Sequence, residues 1–302
     1  MESIIYYLSH PRVAALGLLT RFGTWLPDKT FLKLNFYLRM GYKLDLKNPK
    51  TFSEKLQWLK LYDRRPEYTI MVDKVKAKEY VASKLGEEYI IPTLGVWDDP
   101  DKIDFDSLPN RFVLKCNHNS GTGMYICKDK SKMDVVKVKE GLRKGLAEDY
   151  FINNREWPYK NVPRRVFAEA YMEDEFGELR DYKFFCFDGE VKAMFIATDR
   201  SKGDHEVKFD FFDDCFNHLP FTNGHPNAEV TPVKPRLFDD MKALSSTLSK
   251  GLPQVRIDFY EVGDKIYFGE MTFFHWSGIK QFEPEEWDYK FGEWIKLPDK
   301  KR

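Results

Sequence analysis

Cysteine is scarce in this chain of 302 residues. There are four, Cys116, Cys127, Cys186 and Cys215, and no two form a Cys-x-x-Cys pair. That spacing excludes a disulfide-stapled scaffold and a Cys/His zinc centre, and a cytoplasmic, reducing location is the expectation. Charge of one sign is lacking too, because 48 Lys+Arg balance 48 Asp+Glu. A general grip on nucleic acid needs a basic surplus, so no nucleic-acid partner is expected, whereas a local basic site for a phosphorylated ligand stays open. Long hydrophobic runs are missing as well. The N-terminal apolar patch, Val13 to Leu19, falls far short of the roughly 20 residues of a spanning helix. It has no basic region before it and no cleavage site after it. A helix lying in the core or on a surface is expected there, one able to rest on the inner face of a membrane. Repeats, low-complexity tracts, Walker A and GxGxxG phosphate loops and the GxSxG nucleophile are all absent.

Core material is plentiful, with 42% apolar and 16% aromatic residues. The length suggests about two domains, or one composite domain with lobes. Residues 1–65 read as helical, with Thr51-Phe52-Ser53-Glu54 as a capping box and Phe52, Leu56 and Leu59 as one apolar stripe. A second helix is expected from Tyr68 to Leu85, stopping at Gly86. Short strand pieces at Ile90–Pro92 and Leu94–Trp97 precede an acidic loop over 98–106. Phe112–Cys116 and Met124–Cys127 read as a hairpin around a polar, glycine-containing loop, and 131–149 as helix. A strand is expected over Val166–Met172. A hairpin of Leu179–Phe187 with Val191–Ala197 then turns at Asp188-Gly189. Residues 199–234 read as an irregular excursion, Pro235–Lys250 as a helix, and Val255–Val262 with Lys265–Phe274 as a closing hairpin. The fold class is α+β.

The final hairpin is the most informative stretch. Residues two apart on a strand share a face, so Arg256 aligns with Asp258, and Glu270 with Thr272 on the neighbouring strand. Two acids beside an arginine suit Mg²⁺ holding phosphate oxygens, and equally an ion-paired, solvated sheet face. Lys115, at a strand end before a glycine-containing loop, fits a phosphate grip. By alternation Cys116 points into a core. Lys76 and Lys78 read as a solvated helix face, and Asp181 with Lys183 as a ladder on one strand face.

In their order along the chain, Asp73-Lys74, Phe112–Lys115 with its loop, Val166–Glu169, Asp181–Lys183, Arg256-Ile257-Asp258 and Glu270-Met271-Thr272 resemble the ATP-grasp superfamily. Asn48–Trp58, Lys115–Gly121 and Phe268–Phe273 are similar to its TupA-like branch, named for teichuronopeptide synthesis and found in surface-polysaccharide loci. The likeness spans roughly residues 38–297. It implies two α+β lobes gripping ATP behind a helical extension. The expected division is extension 1–65, pre-grasp segment 66–110, phosphate-loop lobe 111–165, and nucleotide and metal lobe 166–302.

The resemblance also implies roles for single residues. Lys74 and Lys115 would neutralise phosphates, and Asn119, Ser120, Gly121, Thr122 and Gly123 would form the flap over them. Glu169 with the backbone of Ala170, Tyr171 and Met172 would read adenine. Asp181, or its rival Glu173, would hold ribose, with Lys183 beside it. Asp258 and Glu270 would ligate Mg²⁺, and Arg256 would face the transferred phosphoryl group. Thr272 stands where the superfamily usually has Asn, and Ser277-Gly278 where Pro-Gly is usual. The expected reaction is ATP-dependent joining of a carboxylate and an amine through an acylphosphate. The expected substrates are a carboxylate-bearing saccharide, free or lipid-linked, and an amine. Glycosyl transfer, for which Asp99-Pro100-Asp101 would be the metal motif, phosphorylation of a hydroxyl, and a scaffold with a decayed site are the alternatives. His118 reads as a loop hydrogen-bonding residue before a catalytic one, and His275 as a candidate lining of the acceptor pocket.

Overall fold

The computed structural model describes residues 10–175, 177, 179–199 and 206–299. The N-terminal part is helical as expected: α1 (Pro11–Phe22), α2 (Asp28–Met40) and α3 (Phe52–Tyr62), with residues 41–51 non-helical between the last two. The capping box forms. Thr51 Oγ1 accepts from the Glu54 amide at 3.1 Å, and Glu54 Oε2 accepts from the Thr51 amide at 3.3 Å. No helix among the described residues is long and apolar enough to cross a membrane.

The single helix expected over 68–85 is two, α4 (Glu67–Val72) and α5 (Lys76–Leu85). Asp73 breaks it. Its backbone is extended, and its carboxylate accepts from the amides of Val75 (3.0 Å) and Lys76 (3.4 Å) and from Asn117 Nδ2 (2.8 Å). Apolar periodicity carries no trace of a side chain that ends one helix and caps the next. Next come β1 (Thr93–Trp97), β2 (Phe112–Cys116), β3 (Tyr125–Cys127), α6 (Val135–Ala147) and α7 (Tyr150–Asn154). Ile90–Pro92 stays outside any strand. The helix expected over 131–149 begins later, because Asp134 caps it through the Lys137 amide at 3.1 Å.

β4 (Val166–Ala170), β5 (Asp181–Phe187) and β6 (Glu190–Thr198) follow. Asp188 and Gly189 both take positive φ, +49° and +86°, as the two-residue turn requires. The region 199–234, expected to be irregular, contains β7 (Lys208–Asp213) and the short β8 (Thr222–Asn223). Its Pro, Gly and Asn residues flank the strand, so their density masked six residues with buried Phe209, Phe211 and Phe212. α8 (Phe238–Leu248) starts three residues after Pro235, and β9 (Val255–Val262), β10 (Lys265–Thr272), β11 (Phe282–Glu283) and α9 (Glu286–Trp294) complete the described chain.

Two antiparallel sheets carry the fold. The first has the order β1-β4-β2-β3 and its own core of Phe112, Leu114, Cys116, Leu142, Val166 and Ala168. The second, β10-β9-β5-β6-β7, packs against the N-terminal helices and α9 around a phenylalanine-rich core. There Phe52, Phe185 and Phe291 meet edge to face, each such buried ring contributing on the order of 2–3 kcal/mol. β4 pairs with β1 and β2, so Val166–Ala170 lies in the first sheet.

Candidate active site

β9 and β10 build one wall of the cleft between the sheets. A bulge at Gly269 shifts the register so that Glu270 lies opposite Asp258, and Thr272 opposite Arg256. A side chain at 269 would meet the Asp258 carbonyl at 3.1 Å, so glycine is needed for this close approach. The Arg256 guanidinium grips Asp258 with Nε–Oδ1 at 2.7 Å and Nη2–Oδ2 at 2.8 Å. It also reaches Glu270 Oε1 (2.9 Å), Thr272 Oγ1 (3.0 Å) and His275 Nδ1 (2.9 Å). From β5, Lys183 pairs with Asp258 and, at 3.2 Å, with Asp181. The polar face is therefore internally paired, with Asp258 fully buried and Glu270 a third exposed.

Charge in this cluster is tightly set. Burial opposes ionisation of Glu270, yet Lys74, Lys183 and Arg256 together hold its carboxyl far below the usual range. Burial, then the charges of Arg256 and Lys183, push His275 well below the usual imidazole value. His275 is thus neutral. Its Nδ1 accepts from Arg256, and its Nε2–H donates to Asn223 Oδ1 at 3.0 Å, which fixes the tautomer.

The opposite wall comes from the first sheet and the α4–α5 break. That break presents Lys74, whose Nζ donates to the Asn119 carbonyl at 2.6 Å and lies 3.7 Å from Glu270 Oε2. Lys115 pairs with Glu169, and so does Lys78 at 3.0 Å. Lys78 is a correction: it is buried, holding the Ile91 carbonyl and Thr93 besides Glu169, while Lys76 makes the expected surface pair with Glu79. Burial opposes ionisation of Glu169, but Lys115 and Lys78 outweigh it and lower its carboxyl.

Asn119 is buried and ties the phosphate loop to itself and to α6, through the carbonyls of Thr122 and Gly145, both at 3.1 Å. Ser120, Gly121 and Thr122 form its exposed tip. At its base, Gly123 has φ +76°, and a Cβ there would lie 3.0 Å from Gly145 Cα. Only glycine allows that packing. His118 points away, bonding the Glu148 carbonyl at 3.1 Å, which agrees with a loop role.

Cavities link these parts. A mostly apolar one of about 230 Å³ lies between Ile91, Val113, Ile126, Tyr171, Met172 and Tyr260, with Lys115 and Glu169 at its inner end. Through those two it opens into a crevice of about 160 Å³ holding Lys74, the flap tip, Asp181, Lys183 and Glu270. Beyond Glu270 a cavity of about 660 Å³ takes in Arg256, Thr272, Tyr150, Glu156 and His275. Arg39, His225 and Lys280 connect it to an outer one of about 710 Å³. The residues expected in the site line this track or, as Asp258 does, bond to residues that line it, with two exceptions: Gly123 packs behind the flap against Gly145, and Glu173 sits exposed against Arg111 at 2.6 Å and Tyr171 at 3.1 Å. Of the two ribose candidates, only Asp181 faces the crevice.

Lys78, Glu156, Tyr150 and Tyr159 went unread as site residues. Lys78 sits in a helix that looks amphipathic, and the other three lie in short irregular segments without a pattern. Arg200, Lys202 and His205 of the 199–234 excursion lie outside the described residues, whereas Val207, Phe209 and His225 line the 660 Å³ cavity. Asp99-Pro100-Asp101 is a surface turn in which Asp99 caps the Asp101 amide at 2.9 Å and Asp101 pairs with Arg143.

The family model described as TupA-like ATPgrasp matches residues 54–296, a span that contains Lys74, Lys115, Glu169, Asp181, Lys183, Arg256, Asp258 and Glu270. The chain belongs to the TupA-like ATP-grasp family. Membership accounts for the paired sheets as the two lobes of the ATP-grasp fold. No curated protein matches the chain. Among solved structures it is similar to D-alanine–D-alanine ligase from Bacillus anthracis complexed with ATP, at 16% identity and TM-score 0.39, covering 67% of this chain and 53% of that one. The Helicobacter pylori D-alanine–D-alanine ligase gives 13% and 0.44, covering 81% and 69%. The biotin carboxylase domain of Hydrogenobacter thermophilus 2-oxoglutarate carboxylase, bound to MgADP, gives 14% and 0.46, covering 76% and 46%. The chain thus spans about half the length of the ATP-bound ligase that it resembles.

Proposed function

We propose that this TupA-like protein is an ATP-dependent carboxylate–amine ligase working through an acylphosphate. The observation that carries the reading is the Arg256–Asp258–Glu270–Lys183–Lys74 cluster, set between a purine-sized apolar cavity and two large chambers. Adenine would enter the apolar cavity against Met172 and Tyr260, near Glu169 and the 170–172 backbone. Asp181 would take the ribose. The phosphates would lie along Lys115, Lys74 and the amides of the Ser120–Gly123 tip.

Glu270 suits Mg²⁺, because its Oε2 faces the crevice with only Lys74 near, at 3.7 Å. Asp258 gives both oxygens to Arg256 and Lys183, so it joins as a ligand where Lys183 turns from Oδ2 to a phosphate oxygen. The Thr272 hydroxyl is bonded to Arg256 and Glu270 and offers a weaker third oxygen. Mg²⁺ held there would neutralise phosphate charge.

A substrate carboxylate in the 660 Å³ cavity beside Arg256 and Glu270 would attack the γ-phosphorus in line with the leaving ADP oxygen. Arg256, fixed from five sides by carboxylates, Thr272 and neutral His275, would stabilise charge on the transferred group without reorganising. An amine then displaces phosphate from the acylphosphate, and the flap excludes the water that would hydrolyse it. A carboxylated saccharide suits the chambers. Trp276, 42% exposed, offers a stacking face, and Arg39 and Lys280 have no carboxylate partner among the described residues. The exposed Leu18, Phe22 and Trp25, beside Arg21, would rest such an enzyme on the membrane face where lipid-linked saccharides lie. Glycosyl transfer loses support with its motif spent on a surface turn.

The test is ADP release with ATP and Mg²⁺ across a panel of uronic acids and amino acids, wild type beside Glu270→Ala. Turnover that needs both a carboxylate and an amine, falling at least a hundredfold in the variant, is expected. Turnover on a hydroxyl acceptor alone would make the protein a kinase.

A further inference from the structure

The 660 Å³ cavity beyond Glu270 contains a carboxylate that neither the nucleotide nor the phosphoryl group uses. Glu156 lies between α7 and the 157–159 turn, is 3% exposed, and faces the cavity that also holds Arg256 and Glu270. One oxygen, Oε1, accepts from the Ser277 hydroxyl. The other has no hydrogen-bond partner, and no cation pairs with it, among the described residues. Lys60 is near enough to feel its charge but spends its ammonium elsewhere, on Gln57 Oε1 (3.3 Å) and the carbonyls of Asn154 (3.0 Å) and Ser277 (2.8 Å). An ionised carboxylate buried without a paired cation is costly, and the cavity that Glu156 lines is the open side from which a cation can reach it.

A purely structural role for Glu156 is already filled. Ser277 sits at φ +56° in a left-handed turn with Trp276, and its carbonyl is held by Gln57 Nε2 and Lys60 Nζ, both at 2.8 Å. The wall beside Glu156 is aromatic: the rings of Tyr150 and Tyr159 pack edge to face at 4.7 Å and line the same cavity. A buried carboxylate, a hydroxyl and ring faces together suit an alkylammonium group.

We propose that Glu156 and Ser277 form the amine site, in which Glu156 binds the ammonium of the second substrate and takes its proton. This rests on the ligase reading above. An ammonium has no lone pair and cannot attack. Loss of one proton to Glu156 leaves R–NH2, whose lone pair forms the C–N bond to the acyl carbon as the C–O bond to phosphate breaks. The second amine proton goes to the phosphate, which leaves as HPO4²⁻, and Glu156 gives its proton to solvent. Burial raises the Glu156 carboxyl, against the pull of Lys60 and Ser277, which makes it a stronger base than an exposed glutamate.

Glu156→Gln keeps an oxygen for the Ser277 hydroxyl and removes the charge. The carboxylate that turns over best in the panel is offered with its best amine, and separately with hydroxylamine, which is uncharged at pH 7.5 and needs no base. In E156Q the ratio of amide to hydroxamate is expected to fall at least a hundredfold. The residual amide rate should climb tenfold per pH unit towards the amine's own pKa, where wild type is flat. An unchanged ratio, or equal loss of both products, would overturn the assignment. If no carboxylate elicits ADP from wild type, the ligase reading itself fails, and thallous ion soaked into crystals decides the cation site alone. An anomalous peak at Glu156 that E156Q abolishes supports the site, and no peak in wild type removes it.

Discussion

At the scale of single residues, Arg256 concentrates the chemistry. It is a planar fork holding Asp258 bidentately while its remaining nitrogens reach Glu270, Thr272 and His275. A lysine carries the same charge and cannot reproduce that geometry. Arg256→Lys is expected to leave ATP affinity within a few-fold by calorimetry and to lower ADP release ~100- to 1000-fold, the usual cost of losing one preorganised donor. Wild-type turnover in R256K would remove Arg256 from the phosphoryl site. This cluster was legible in the sequence because strand alternation alone puts Arg256 with Asp258 and Glu270 with Thr272. Lys78 was not, because a lysine on a helix looks solvated until the fold brings Glu169 beneath it. Glu156 was not either, since its meaning depends on Ser277, 121 positions away in sequence.

At the scale of elements, local rules read well and non-local ones did not. The Thr51–Glu54 box, the Asp188-Gly189 turn and the β9–β10 hairpin all follow from neighbouring residues. The α4–α5 break depends on Asn117 as much as on Asp73, and β7 exists because β6 offers it an edge. Another non-local contact has a measurable consequence. Asp288 on α9 accepts from the Ser53 amide (2.9 Å) and hydroxyl (3.0 Å) at the start of α3, tying the extension to the second sheet's lobe. Burial pushes its carboxyl up to about 6 from an ordinary 3.8, with Glu54 and Glu285 adding to the push against the Ser53 bonds. A raised carboxyl binds its proton more tightly folded than unfolded, so this contribution is full below pH ~4 and is lost as pH rises through ~6. Asp288→Asn is therefore expected to match wild type near pH 4 and to exceed it above pH 7 by up to ~3 kcal/mol in urea unfolding, at ~1.4 kcal/mol per pKa unit. A variant that is destabilised equally at both pH values would show instead that Asp288 is folded as the anion.

At the scale of the whole molecule, the two sheets matter as opposed walls. Lys115 and Glu169 belong to the first, with Lys78 of α5 paired to Glu169, Lys183, Arg256, Asp258 and Glu270 belong to the second, and Lys74 reaches across to Glu270 from the helix break. The α+β class and the order of these residues could be read from the chain. The pairing of β4 with the first sheet could not, because β4 looks like any strand until its partners β1 and β2 are known. The helical extension also proves to be part of the site, since Gln57 and Lys60 of α3 hold the Ser277 turn.

The claim that these walls enclose is that a carboxylate oxygen ends on phosphorus. Carboxylate labelled with ¹⁸O, supplied with ATP, Mg²⁺ and the amine, tests it in one turnover, with the released phosphate read by ³¹P NMR. The account predicts one ¹⁸O in each phosphate, shifted as a single isotopologue. Amide formed with unlabelled phosphate, or phosphate retained on the saccharide, would contradict it.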